Sequence, residues 1–313
     1  MSISVEEIKT LCDNWCEAAL QPGGGFVMGH ETEKNRLLAN GLQFHEVGFE
    51  ELVAAINGLS KVLLLPGMNT VINQDHYGLW SWCGEVIFSY HSEYFSLEER
   101  EIRSLFETCI RASLCGCRNP SLNHEEWERQ NNIAQQIPHN TQYFIQNSSL
   151  SLAYLAFPLL EAVVKRVCHQ YIGLDGKVKA EFTIVGKNGR DRNYGIQGKV
   201  SKQCSSLRDL LFLLYNYVAD DELIWLLDEF RSSIQRLDED TDPFDLIYKW
   251  RNQSLHGTTN FQTIGGTLLN LSLLICIFDL KEGYTELRDV ILQQCIRDSE
   301  FGHRSPNSFY PPY

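Results

Sequence analysis

Apolar residues recur along most of this chain at three- and four-residue steps, the period of helices that bury one face. Val5, Ile8, Leu11, Cys12, Trp15 and Ala19 follow that spacing and predict a first helix over Val5 to Leu20. The stretch QPGGGFVMGH breaks the pattern with Pro22 and Gly23 to Gly25. Phe49 to Leu65 and Leu97 to Leu114 read as further helices, the second with Ser96 and Glu99 placed as a capping box. Gly116 to His139 is polar, rich in Asn, Glu and Gln, and reads as a connector between two halves.

The second half opens near Gln146. Leu152, Leu155, Leu159, Val163, Val167 and Tyr171 describe one long amphipathic helix ending near Gly173. Pro158 either kinks it or marks its start. Between Asp175 and Ser206 the pattern changes: Glu181 to Val185 is β-prone and KNGRDRNYG is turn-like, which predicts a short hairpin. Helical spacing returns at Ser205 to Val218 and at Asp221 to Leu237. Phe244 to Trp250 follows, then a final, strongly apolar helix over Phe261 to Leu280. The tail HRSPNSFYPPY is Pro-rich and expected to be loose. The expected fold is all-α. A helical N-terminal domain (1–145) of no assigned role precedes a helical bundle with a small β-hairpin insertion (146–290). Residues 291–313 are expected to hold a helix end and the loose tail.

With 43% apolar and 21% charged residues, a sizeable core can be buried and wholesale disorder is excluded. A net charge of −13 argues against a general nucleic-acid coat, but leaves room for a small local basic site. Such a site stands out at Lys177 to Arg208, where eight basic residues face only Glu181 and Asp191. It reads as a solvated surface hairpin or as an RNA-tracking strip carrying Lys187, Arg190, Arg192, Lys199 and Lys202. The acidic stretch from Asp220 to Asp245 lacks the calcium-loop spacing and reads as a solvated turn. Trp80, Trp82, Tyr90 and Tyr94 read as core or interface.

The ten cysteines are scattered, and the start MSISVEEIKT carries no secretory pattern, so reduced thiols in a cytoplasmic protein are expected. The longest apolar candidate, Leu268 to Leu280, is interrupted by Asn270, Ser272 and Asp279 and is too short to span a bilayer, so no membrane partner is expected. Cys12 and Cys16 lie one helical turn apart and read as shared core packing. Cys115 and Cys117 have no second pair at zinc spacing, so no metal is expected. Gly23 to Gly25 lack the Gly-Lys-Ser/Thr ending of a phosphate loop, so no nucleotide cofactor is expected there.

The string DPFDLIYKWRNQSLHG, residues 242–257, carries the chemistry. Arg251 and His256 are five positions apart, about one and a half helical turns. An ideal helix does not place them on one face; a helix break at Gly257 lets them converge. A guanidinium holds a phosphate bidentately, and an imidazole moves a proton near neutral pH. Asn252 is placed to orient either group. Outside this context the pair reads as a helix-end arrangement, with Arg251 on an acidic neighbour and His256 as a cap. A second near-match, RNPSLNH over Arg118 to His124, has Pro120 within it and no apolar helix after it, and reads as a loop coincidence.

RNQSLHG, set between a Leu/Tyr-rich helix and an apolar helix, resembles the RN-x-x-x-H motif of HEPN domains. FPLLEAVVKRVCHQYI resembles that family's opening helix, and the resemblance covers about residues 147–285. It implies a helical bundle and, in active members, an endoribonuclease that needs no metal and works as a homodimer with two motifs in one cleft. Such proteins serve as toxins of toxin–antitoxin modules or in antiviral defence, so an antitoxin or other regulatory partner is implied. Carried onto this chain, Arg251 contacts the scissile phosphate of RNA, His256 transfers the proton and Asn252 supports them. Glu161, on the opening helix, is implied as a supporting polar residue. The alternative is a non-catalytic HEPN module that binds nucleotide, RNA or protein.

Overall fold

The computed structural model describes residues 3–21, 27–65, 73–116, 124–198, 200–255, 262–300 and 309. The fold is all-α with one small hairpin. The first half holds α1 (Val5–Ala19), α2 (His30–Glu33), α3 (Phe49–Leu63), α4 (Gln74–Phe88), α5 (Arg100–Gly116), α6 (His124–Gln136) and α7 (His139–Gln146). The long α8 (Ser148–Val167) follows, then the strands β1 (Phe182–Val185) and β2 (Asp191–Tyr194). After them come α9 (Leu207–Leu213), which runs into one π-helical turn at Leu214–Val218, and α10 (Asp221–Gln235). The chain then forms α11 (Pro243–Leu255), α12 (Gln262–Asp279) and α13 (Tyr284–Glu300).

The centre is α12, which packs chiefly along α8 and also against α3. Leu268, Leu269, Leu271, Leu273, Leu274, Ile275, Cys276 and Ile277 are all buried, which is why this helix is apolar on every side. Gly265 lets it press onto the backbone of α8: a Cβ there would stand 2.7 Å from the Ala153 nitrogen. The polar residues inside α12 are satisfied. Asn270 accepts a hydrogen bond from Trp80 Nε1 at 2.6 Å and donates to Ser60 Oγ at 2.9 Å, tying α12 to α4 and α3. Residues from both sides of the 145/146 division belong to this one core cluster.

Several expectations shift. α8 starts at Ser148, so Pro158 lies inside the helix and is not its start. Gly116 to His139, read as a connector, contains α6. Its Glu, Gln, Arg and Ala residues favour helix even though its surface is mostly solvated. α12 is not the last helix: α13 follows, runs through the 290/291 division, and buries Tyr284, Ile291 and Cys295. Phe309, in the tail expected to be loose, is buried beside Phe88; its backbone N–H donates to Glu85 at 2.8 Å, and Arg111 lies over its ring. Gly23 to Gly25, Cys117, residues 118–123 of RNPSLNH and the rest of the tail lie outside the described residues. Cys12, Cys16, Trp80, Trp82 and Tyr94 are buried, whereas Tyr90 is exposed. Among the described residues no single helix is long and apolar enough to cross a membrane.

Two buried ionisable neighbours sit at the start of α4. Asp75 accepts from the backbone N–H groups of Leu37 and Leu38, at 2.9 and 3.0 Å, and burial pushes its carboxyl up to about 6. His76 sits 3.1 Å from the Leu59 carbonyl through Nε2, and burial pushes its imidazole down to about 4. The unfolded chain takes up the histidine proton near 6.5. His76 therefore contributes stability in full above that pH, and the contribution is lost as pH falls towards 4. Asp75 has the opposite sign: its contribution is present in acid and lost as pH rises from 3.8 to about 6. In His76→Gln the stability gap to wild type, measured by denaturant unfolding, should narrow between about pH 7 and pH 4.5. A gap that stays constant would contradict this assignment.

Candidate functional site

α11 begins with Pro243 at its first position, and Asp242 accepts from the Phe244 N–H at 2.8 Å. Its core-facing residues include Phe244, Leu246, Ile247, Trp250 and Ser254. That register leaves Tyr248 and Arg251, one turn apart, only partly covered. Two carbonyls of the last turn are satisfied by side chains: Ser254 Oγ donates to the Arg251 carbonyl at 2.7 Å, and Tyr154 of α8 donates to the Ser254 carbonyl at 3.4 Å.

Arg251 reaches across to α8. Its Nη2 pairs with Glu161 Oε2 at 3.2 Å, and its Nη1 donates to the Ser205 carbonyl at 3.5 Å. The other Glu161 oxygen is held by Lys165 at 2.8 Å, one turn along α8. Glu161 and Lys165 are largely covered, with side chains 17% and 11% exposed, while that of Arg251 is 31% exposed. A guanidinium has five N–H donors, so these two partners leave donors for an incoming anion. The structure thus brings together Arg251 and the weaker sequence candidate, Glu161. Asn252 is exposed on the adjacent position. His256 and Gly257 lie outside the described residues.

The basic hairpin stands next to this site. Its turn is closed by the Gly186 N–H donating to the Arg190 carbonyl at 2.8 Å, with Gly189 in the left-handed region at φ 72°. A cleft of about 380 Å³ opens between that turn and α11, lined by Lys187, Arg190, Arg192, Ser206, Arg208 and Tyr248 among others. Two links join cleft and site. Ser206 in the cleft wall follows Ser205, whose carbonyl holds Arg251, and Tyr248 lies one turn before Arg251. The hairpin is anchored by the fully buried Asp209, which accepts from Arg192 at 2.9 Å, Tyr194 at 2.7 Å and Arg208 at 3.0 Å. Arg208 also donates to Asp245 at 2.6 Å.

Compared with protein-family models, curated proteins and solved structures, the chain matches none.

Of the five residues assigned to an RNA strip, Lys187, Arg190 and Arg192 meet in the cleft. Lys202 is exposed on the loop behind the hairpin, where its carbonyl accepts from Val178 N–H, and Lys199 lies outside the described residues. Lys165, Tyr248 and Arg208 were not singled out as site residues from the sequence. The four-residue step from Glu161 to Lys165 and the three-residue step from Tyr248 to Arg251 are signals that would have found two of them.

Proposed function

We propose that this chain is a metal-independent endoribonuclease of HEPN type, with Arg251 as the phosphate-binding group. The observation that supports it is the setting of Arg251: braced by Glu161, still partly open, and next to a cleft of basic residues. In this reading His256 takes the proton from a ribose 2′-hydroxyl. The 2′-oxygen attacks the adjacent phosphorus, the bond to the 5′-oxygen breaks, that oxygen takes up a proton from solvent to become a 5′-hydroxyl, and a 2′,3′-cyclic phosphate is left. Arg251 stabilises the charge that builds on the phosphate, and Asn252 orients the reacting groups. Glu161 and Lys165 act as positioning residues by fixing the guanidinium. As in the family it resembles, two copies would share one groove, and a toxin or antiviral-defence role would place the activity under an antitoxin or other regulatory partner. RNA incubated with the purified chain in excess EDTA should still be cut. Cleavage that disappears in EDTA would overturn the metal-free mechanism.

One observation favours a second reading. Arg251 on an acidic neighbour is also what a purely structural helix-end pair looks like. In that case the chain is a non-catalytic module. Absence of cleavage by the wild-type chain, together with a large fall in melting temperature in Arg251→Ala, would select it.

A further inference from the structure

We infer that the cleft between the hairpin turn and α11 is a second, non-cleaving subsite for single-stranded RNA. It holds a phosphate on Arg190 and Lys187 and a base against Tyr248. This rests on the RNA reading of the Arg251 site and extends it along the strand.

The four cations of the cleft differ in how they are engaged. Arg192 and Arg208 are committed to the buried Asp209, and Arg208 also to Asp245, so they build the wall. Arg190 is exposed, and its guanidinium makes no hydrogen bond or ion pair among the described residues. Lys187 is half exposed and shares Asp245, at 3.2 Å, with Arg208, so Asp245 keeps a partner when Lys187 turns to a phosphate. Exposed cations without structural duties are those that exchange water for phosphate at least cost. Asp191, also in the lining, disfavours a second phosphate close by and limits the cleft to one.

The remaining wall suits a base. Tyr248 is partly exposed, with the Lys187 ammonium 6.0 Å from its ring centre, and Asn188 and Ser206 offer hydrogen-bonding groups at the rim. An aromatic face beside a cation is the pairing by which single strands are held without strict sequence preference. An acidic peptide would use the cations but has no use for the ring.

The test measures binding of a fluorescent 2′-O-methyl RNA oligonucleotide, which cannot form the cyclic phosphate, to the full chain by anisotropy. Arg190→Glu should weaken binding by roughly tenfold or more with an unchanged melting temperature, since the Arg190 side chain has no hydrogen-bond or ion-pair partner among the described residues. The milder Arg190→Gln should lower the slope of log affinity against log salt by about 0.7, the value for one phosphate contact on a single strand. Tyr248→Leu should weaken binding by roughly tenfold with little change in that slope. Oligonucleotide binding unaffected by all three variants would overturn the subsite, as would displacement of the oligonucleotide by an equimolar poly-glutamate peptide. Cleavage of ordinary RNA is scored in parallel. Cleavage with no effect of the variants removes the subsite and keeps the nuclease; variant-sensitive binding without cleavage removes the nuclease and keeps the subsite.

Discussion

Arg251→Ala is expected to slow RNA cleavage by about 10²- to 10³-fold, the usual loss when one pre-positioned donor to a developing oxyanion is removed. His256→Ala should cost a similar factor or more, since a positioned proton-transfer group is worth about 10²–10⁴. What makes the arginine variant informative is that the fold should tolerate it. Arg251 is partly exposed, and the Glu161 carboxylate it leaves behind keeps Lys165 at 2.8 Å, so no buried charge is orphaned. Thermal melting should therefore stay within about 3 °C of wild type. Loss of activity accompanied by a large drop in melting temperature would mean that Arg251 is a structural strut. Unchanged cleavage would remove it from the site altogether.

Asp209→Ala is expected to do the opposite, damaging the fold first. Asp209 is fully buried and is shared by Arg208, Arg192 and Tyr194. Removing it leaves the Arg208 guanidinium, in a side chain only 7% exposed, with Asp245 as its remaining carboxylate and takes the acceptor from the Tyr194 hydroxyl. Breaking a buried pair from one side costs about 3–5 kcal/mol. For a chain of this size that is a fall in melting temperature on the order of 10 °C. The hairpin should loosen before the rest, because Arg192 and Tyr194 both lie on β2. Hydrogen exchange over residues 182–194 would show this directly. A melting temperature within about 2 °C of wild type would mean the network is dispensable.

The elements legible in the sequence include those whose burial is one-sided. α1, α8 and α10 each show an apolar stripe, and the hairpin announced itself through a β-prone run followed by a Gly-containing turn. α4 was not read: Leu79, Trp80, Trp82, Cys83, Val86 and Ile87 are buried on several sides, which leaves no stripe. α6 was missed for the converse reason: it is polar nearly all round. α13 was read only as a helix end past residue 291, although Tyr284, Ile291 and Cys295 bury one side of it. At the site, the RNQSLHG string gave Arg251 and the opening helix gave Glu161. The meeting of Lys187, Arg190 and Arg192 with Tyr248 depends on the hairpin folding back over α9 and α11, and on Asp209 holding it there. That is a long-range arrangement, and no local spacing encodes it.

The central claim is that a guanidinium at position 251 and an imidazole at 256 cut RNA through the neighbouring 2′-hydroxyl. Its most direct test is the chemistry of the new ends when a defined RNA is digested in EDTA. The account predicts a 2′,3′-cyclic phosphate on one fragment and a 5′-hydroxyl on the other. Fragments ending in a 3′-hydroxyl and a 5′-phosphate would contradict it.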